Sequence, residues 1–598
     1  MESGNENITG EDAVENGGSN MLKAISGGFP RLLVLLTLVA LTECSPFPDS
    51  VKCKKDNKDC TITNAYGMYN DRTICRAGDA VYPRNEEEIL DAVSSASRSK
   101  RKMKVATRYS SSVPKLSCPE GDNGLLICTK FLDRILNIDK KDMTMTVESG
   151  VRIKELIHAA GDAGLAMPHS TFWWGVTVGG ALGTGAHGSS LADNGSALHE
   201  YVVNMRIITP DPVHGAIIRQ LNSSNPQLLA AKISLGVLGV ISQVTFQLMP
   251  IFKRSVTILM RSDSDFAYRV KPYGSEHTYS SLIWYPHLRE VDYAVDDRVN
   301  MSVPGNGKLD YVGFFPLANS ISAMNRYNEE RIERMNDPDE KCIVSNLTTF
   351  SIEALAYGLT NDGVTFTGYP VVGLQNNLMA SGKCLDDVEN FLITTCPWDP
   401  RVNGLFIHQT SISISLSNAR DFILDIQKLR DMNIYAFCGS EYYNGIIMRY
   451  VKASTAYLGE TDDVIKFDMT YYRSKDPMQP RLNEDLFEEI EQIGLYKYNG
   501  LPHWGKNRNL AFDGVIEKYK RSHEFLKVRQ EFDPDGLFSN DWTDQVLGIK
   551  GRTSIFRPGC ALEGLCICSQ DLHCNPRRGY FCRPGKIYKD ARVCSKSS

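Results

Sequence analysis

The stretch Gly175-Val-Thr-Val-Gly179-Gly180-Ala-Leu-Gly183-Thr-Gly185-Ala-His187-Gly188-Ser189-Ser190 constrains this chain more than any other. Each glycine loses extra backbone entropy when a helix or strand orders it, so a run this dense is a poor interior for either. It offers bare main chain instead: N–H groups that no side chain shields, and turns at positive φ. Such a surface lets a pyrophosphate or a flat cofactor lie against the backbone. Gly183, Gly185 and Gly188 also spell G-x-G-x-x-G, whose dinucleotide reading needs a strand running in and a helix running out. Neither flank qualifies. Ala166–Trp174 carries Pro168 and no alternation, and Ser189–Gly195 is polar and broken by glycine. The match to that fingerprint is accidental.

At 598 residues the chain is too long for one core, which calls for two or more domains. Its 42% hydrophobic and 23% charged content is that of a soluble globular protein. A net charge of −5 lacks the basic footprint of a nucleic-acid binder, so no such partner is expected. Residues 1–20 read as a polar, acidic, disordered tail. From Met21 the pattern changes: Lys23 and Arg31 precede the apolar run Leu32–Leu41, then come small residues and Pro46. Residues 21–45 therefore read as a secretory signal peptide, too short to span a bilayer. No transmembrane helix is expected, and the predicted location is the secretory pathway, ending extracellular or in vacuole or cell wall.

Cysteine usage agrees with export. There are sixteen, several in close pairs (Cys53 with Cys60, Cys118 with Cys128, Cys384 with Cys396), as suits disulfides in an oxidising compartment. Removal of Cys44 with the signal leaves an odd number, and Cys75 and Cys438 are the candidates for a free thiol. Acceptor sequons stand at Asn194, Asn222, Asn300 and Asn346. Residues 556–598 hold six cysteines (560, 566, 568, 574, 582, 594) whose spacings are not paired C-x-x-C knuckles, with His573 the lone histidine. This predicts a disulfide-stapled module and no metal site.

Local patterns predict an α+β chain. Asn85-Glu-Glu-Glu88 is a helix start with a capping box, running into Ile89, Leu90, Ala92 and Val93. Lys104–Thr107 reads as a strand entering the polar turn Arg108–Ser112. Met143–Glu148 alternates as a strand, and Val151–Ala163 reads as a helix closed by Gly164. Further strands are expected over Tyr201–Ile208 and Val244–Leu248. Residues 251–500 mix strand-like segments (Ser255–Leu259, Ser411–Leu416) with helix-like ones (Ala419–Leu429), which predicts an antiparallel sheet with helices on one side.

These residues together resemble a family. The turn near Ser110, the run Gly179-Gly180-x-x-Gly183-x-Gly185-x-His187-Gly188 and Leu235-Gly236-Val-Leu-Gly239-Val-Ile resemble the FAD-binding domain of the vanillyl-alcohol-oxidase type. Within it, His503-Trp504-Gly505-Lys506-Asn507 and Phe532-Asp-Pro-x-Gly536-x-Phe538-x-Asn540 resemble the aldonolactone oxidoreductases, the plant L-gulonolactone oxidases above all. The resemblance implies a two-subdomain FAD-binding domain at 60–250, an α+β substrate or cap domain at 251–500 and a return segment at 501–550. It also implies hydride transfer from a sugar-acid 1,4-lactone to flavin, with molecular oxygen as the final acceptor and ascorbate or a close relative as product. Residues placed at the cofactor are Ser110, Ser111, Gly179, Gly180, Gly183, Gly185, His187, Gly188, Gly239 and Ile241.

Two positions depart from the family. Where many members tether FAD through a histidine in the first turn, this chain has Ser110 and Ser111, so noncovalent FAD is expected. Where members carry Glu-x-Arg, this chain has Ile447-Met448-Arg449. Asn444-Gly445 reads as a hairpin turn that sets Glu441 opposite Met448, on the face away from Arg449. That leaves Arg449, His503 and Lys506 as the catalytic candidates. Arg449 suits the lactone oxygen or carbonyl, Lys506 the reduced flavin's anionic end, and His503 the substrate hydroxyl or its proton. Without the resemblance, the same His-Trp-Gly-Lys reads as a packed turn with a solvent-facing lysine. The missing glutamate keeps two alternatives open: another carbohydrate or alcohol as substrate, or a catalytically weak flavin-binding relative.

Overall fold

The computed structural model describes residues 50–62, 72, 74–107, 113–119, 121–314, 318–379, 382, 407–439 and 445–597. The N-terminal tail, the segment expected to be a signal peptide, Ser110, Ser111, Cys384, Cys396 and Glu441 lie outside them. Among the described residues, no helix is long and apolar enough to cross a membrane.

Two five-stranded sheets form the N-terminal half. The first runs Val51–Lys52, Lys58–Ile62, Cys75–Val81, Leu125–Cys128 and Met103–Ala106, the last three mutually parallel. Parallel neighbours need a crossover, and helix Glu86–Arg98 lies between Cys75–Val81 and Met103–Ala106 in the chain. Its start has the predicted Asn85 cap, but Glu88 reaches back to the Arg84 N–H and not to the Asn85 N–H that a capping box requires. The Asn85 side chain accepts the Glu88 N–H at 2.9 Å, and the Glu88 carboxylate accepts the Arg84 N–H at 2.8 Å. The second sheet is antiparallel: Gly215–Asn222, Val202–Asp211, Val240–Gln247, Thr144–Glu148, Ile135–Asp139. Helix Ile153–Asp162 ends before Gly164, whose φ of +77° makes the left-handed stop.

The glycine run departs from its expectation at one point. Val178–Gly183 forms a short helix, with the Thr177 hydroxyl accepting the Gly180 N–H at 3.3 Å. Val178, Ala181 and Leu182 are buried in the largest core, and that packing overrides the poor intrinsic propensity.

The cap is one eight-stranded antiparallel sheet. Its order is Val371–Leu374, Lys253–Ser262, Glu290–Val299, Ser281–Tyr285, Ile446–Val451, Val464–Tyr472, Ile407–Ser415, Leu501–Pro502. Helices Phe266–Glu276 and Ala419–Met432 bury Phe266, Val270, Phe422 and Ile426 against the apolar residues of one face. Both edges of Ile446–Val451 are paired, and Met448 lies opposite Leu282 on one side and Phe467 on the other. After Leu501 the chain turns back to the first half, where Leu537 accepts the Met103 N–H at 2.8 Å and Asn540 caps Asp541–Val546.

The disulfides correct two expectations. Cys53 pairs with Cys60 as predicted, but Cys118 pairs with Cys75 and Cys438 with Cys342. Cys128 is buried on its strand, outside these bridges, with its thiol toward the Thr107 carbonyl. Sequence proximity misled here because the sheet turns Cys128 inward. The C-terminal module holds Cys560–Cys566, Cys568–Cys582 and Cys574–Cys594 bridges around a strand pair, Tyr580–Pro584 with Arg592–Lys596.

Candidate active site

A cavity of about 330 Å³ runs between the first half and the cap. One wall is main chain: Gly179, Gly180, Gly183, Gly236 and Gly239 line it, with Ile241 beside them. Gly179 is pressed against Ser149, its N–H donating to the Ser149 carbonyl at 2.8 Å. Gly239 has φ of +121°, and a Cβ there would stand 2.4 Å from the Ile208 oxygen. At Gly183 a Cβ would meet no atom within 4 Å and would project into open space. Bare backbone facing an elongated cavity fits a flat, extended cofactor. Two of the predicted cofactor glycines sit elsewhere: Gly185 packs on Ile233 beside a small recess, and Gly188 packs on the Ser170 carbonyl.

The opposite wall is built by strand pairing. Arg449 and Ile447, two apart on Ile446–Val451, share the cavity face, as their spacing predicts. Asp468 stands directly across from Ile447 on Val464–Tyr472. Arg449 Nη1 donates to Asp468 Oδ2 at 2.7 Å, and its guanidinium lies 5.2 Å from the Phe172 ring centre. Lys506 Nζ donates to the same oxygen at 3.1 Å. The lysine therefore faces inward, which overturns the reading of a solvent-facing end on a packed turn.

The turn itself is stitched to the sheet. His503 N–H donates to the Ser411 carbonyl and Asn507 N–H to the Gln409 carbonyl, both at 3.1 Å. Trp504 points the other way, its indole N–H bonded to the Leu458 carbonyl at 3.0 Å and its ring stacked on Tyr519. The tryptophan anchors while His503 and Lys506 face the cavity. Of the earlier pair, Trp173 lines the cavity and Trp174 is buried in the core.

Burial, reinforced by Lys466, holds both His503 and His187 well below the usual histidine range, so both are neutral. Their tautomers follow from the hydrogen bonds. His503 Nδ1 accepts the Gly505 N–H at 3.0 Å, which puts the proton on Nε2. His503 thus offers a donor to the cavity, suited to bind an oxygen and unsuited to take a proton there. His187 Nδ1 donates to the Gly188 carbonyl at 2.8 Å, leaving Nε2 as an acceptor. Burial pushes the Lys506 ammonium down and Asp468 pulls it back, with the net shift downward.

Sequence reasoning missed Asp468 and Thr470. A signal existed: in Val464–Tyr472, Lys466, Asp468 and Thr470 recur at every second position between Ile465, Phe467 and Met469, which are core. Polar residues at period two in an apolar strand mark a face that is buried yet not packed on core.

Comparison with known proteins bears on this geometry. A family model described as an FAD binding domain matches residues 79–214, one for D-arabinono-1,4-lactone oxidase matches 407–546, and one for the C-terminal domain of L-gulonolactone oxidase 2-like proteins matches 557–596. Probable L-gulonolactone oxidase 6 of Arabidopsis thaliana is 52% identical over 565 residues, 94% of each chain. The chain belongs to the L-gulonolactone oxidase family. L-gulonolactone oxidase 5 of the same plant is 51% identical over 94% of this chain and 96% of its own, and the mouse L-gulonolactone oxidase is 23% identical over 78% and 94%. Among solved structures, cholesterol oxidase from Brevibacterium sterolicum (a His121Ala mutant) covers 84% of this chain and all of its own at a TM-score of 0.61 and 13% identity. That likeness concerns the fold, which is the FAD-binding vanillyl-alcohol-oxidase type. This member of the L-gulonolactone oxidase family is thus an FAD-binding oxidoreductase with a disulfide-rich C-terminal module.

Proposed function

We propose that the protein oxidises L-gulono-1,4-lactone at the carbon next to the lactone carbonyl. Electrons pass to noncovalently bound FAD and on to molecular oxygen, giving ascorbate and hydrogen peroxide. The observation that carries this reading is the convergence of Arg449, Lys506 and His503, from a sheet strand and a distant turn, on one end of a glycine-walled cavity. FAD, when bound there, supplies the two-electron acceptor. Arg449 and the His503 Nε2–H are the donors placed to hold lactone oxygens, and Lys506 is the cation placed against developing negative charge. Serines at 110 and 111 leave no imidazole in the first turn to tether the cofactor, which supports noncovalent binding. Secretion and glycosylation are supported by the disulfides and by exposure of the sequon asparagines Asn194, Asn222, Asn300 and Asn346.

A second reading has one observation in its favour. A neighbouring cavity of about 220 Å³, walled by Leu282, Tyr285 and Met379, shares Thr171, Phe172, Ile447 and Arg449 with the first. That space suits a bulkier hydroxylated substrate. The test is anaerobic mixing of purified protein with L-gulono-1,4-lactone while following the oxidised flavin absorption. Bleaching that recovers in air is the expected result. An unchanged spectrum in yellow protein, with bleaching by another alcohol in a substrate panel, transfers the assignment to that alcohol.

A further inference from the structure

We infer that Asp468 receives the substrate hydroxyl that is oxidised, its Oδ1 accepting that hydrogen bond while Arg449 and Lys506 hold Oδ2. The inference rests on the lactone reading above and names the residue that orients the reacting carbon. Asp468 is the sole acid among the described residues lining the larger cavity, and it is 5% exposed.

Its two oxygens are not equivalent. Oδ2 takes both cationic donors, at 2.7 Å from Arg449 and 3.1 Å from Lys506. Oδ1 is buried with no donor in hydrogen-bonding geometry, and the Ser411 hydroxyl across the strand pair, itself without a partner in such geometry, is the neighbouring side chain that leans toward the carboxylate. A buried carboxylate oxygen left without a donor costs roughly 1–3 kcal/mol or more, so one that faces a cavity is open to a donor on a ligand or a water there. The groups facing Asp468 are Arg449 on one neighbouring strand, Ser411 on the other, Lys506 from the turn and His187 from the glycine run. Burial disfavours the charged carboxylate, but Lys506, Arg449 and Ser411 outweigh it and keep Asp468 ionised well below the usual range. A carboxylate gripped by two cations is a good acceptor and a poor base, which makes orientation of the hydroxyl its task.

The ladder also explains how the chain manages with isoleucine at 447. Ile447 and Asp468 are directly opposed cross-strand partners whose side chains share the cavity face. Opposed residues have Cβ atoms about 5 Å apart, so a carboxylate supplied from 468 reaches nearly the volume that one from 447 would fill.

The test is calorimetric titration of the flavin-reduced holoenzyme under anaerobic conditions, where no turnover occurs. The ligands are L-gulono-1,4-lactone and its analogue lacking the hydroxyl next to the carbonyl. Wild type is expected to bind the hydroxylated lactone at least tenfold more tightly, and Asp468→Asn to lose that preference while keeping its flavin. The double variant Ile447→Glu with Asp468→Ser, which preserves the charge across the strand pair, is expected to regain it and serves if the asparagine variant does not fold. A tenfold preference that survives in Asp468→Asn, or fails to return in the double variant, overturns the assignment. Wild type that binds neither lactone overturns the lactone reading, and the Asp468 assignment with it.

Discussion

Replacing Glu489 with alanine should release the cysteine-rich module while leaving the cavity walls intact. Glu489 sits on helix Glu484–Gln492, fully buried, and its carboxylate accepts three backbone N–H groups of the module. Lys586 donates at 2.6 Å, and Ile587 and Tyr588 at 2.7 Å each. The same helix adds Glu488, which accepts the Cys594 N–H at 2.8 Å, and Gln492, bonded both ways to the Arg592 backbone. Hydrogen bonds to a charged group contribute about 1.5–3 kcal/mol each, but desolvating the carboxylate offsets part of the three. A net loss of roughly 3–5 kcal/mol in docking follows, amounting to about two to four powers of ten in the opening equilibrium. Three disulfides hold the module's own fold, so the opening is local. Hydrogen exchange read by mass spectrometry should accelerate by that factor over residues 585–596 and stay unchanged in the cap sheet. The effect reaches the site because Leu510 N–H donates to the Gly564 carbonyl at 3.1 Å and Arg508 pairs with Glu491 of the same helix. The turn carrying His503 and Lys506 thus leans on the module, and lactone affinity should fall several-fold with flavin content unchanged. Exchange over 585–596 equal to wild type would refute the clamp.

Two further predictions separate cofactor space from fold. Gly183→Val points its side chain into open cavity, so the variant should fold with wild-type secondary structure yet purify with little flavin, whereas Gly239→Ala, at φ of +121° against the Ile208 oxygen, should fail to accumulate folded protein. Flavin-to-protein absorbance ratios and circular dichroism check both, and a yellow Gly183→Val would remove this cavity wall from the cofactor. The second concerns acid. His169 (about 3), His287 (about 4), His187, His408 and His503 are all buried and held below the usual 6.5, burial being the main cause in each. Their folded pKa is lower than the unfolded one, so the unfolded chain binds more protons below about pH 6.5 and stability falls as pH drops. Each contributes about 1.4 kcal/mol of loss between pH 7.5 and 5.5, which a urea midpoint at the two pH values detects. Equal midpoints mean that these rings are not held neutral.

Much of the fold was legible because its signals are local. The Asn85 cap, the Gly164 stop and the alternation of Met143–Glu148 depend on neighbours a few residues away, and the structure places a helix or strand at each. The glycine run was legible for the same reason: bare backbone is a property of composition. Disulfide partners were less so. Cys75 and Cys118 are 43 residues apart and Cys342 and Cys438 are 96 apart, separations that only a folded chain closes.

By itself the sequence determined the kind of surface this protein presents: a main-chain wall for a flat cofactor, an arginine and isoleucine on one strand face, and a His-Trp-Gly-Lys turn with one aromatic anchor. Tertiary structure alone decided which groups meet. Asp468 lies 19 residues beyond Arg449 and 38 before Lys506, and nothing in those spacings announces a shared carboxylate. Strand pairing sets Asp468 opposite Ile447, and the return of the chain after Leu501 brings the lysine over it. Burial then makes the encounter matter, because charges withdrawn from water must find one another or a ligand.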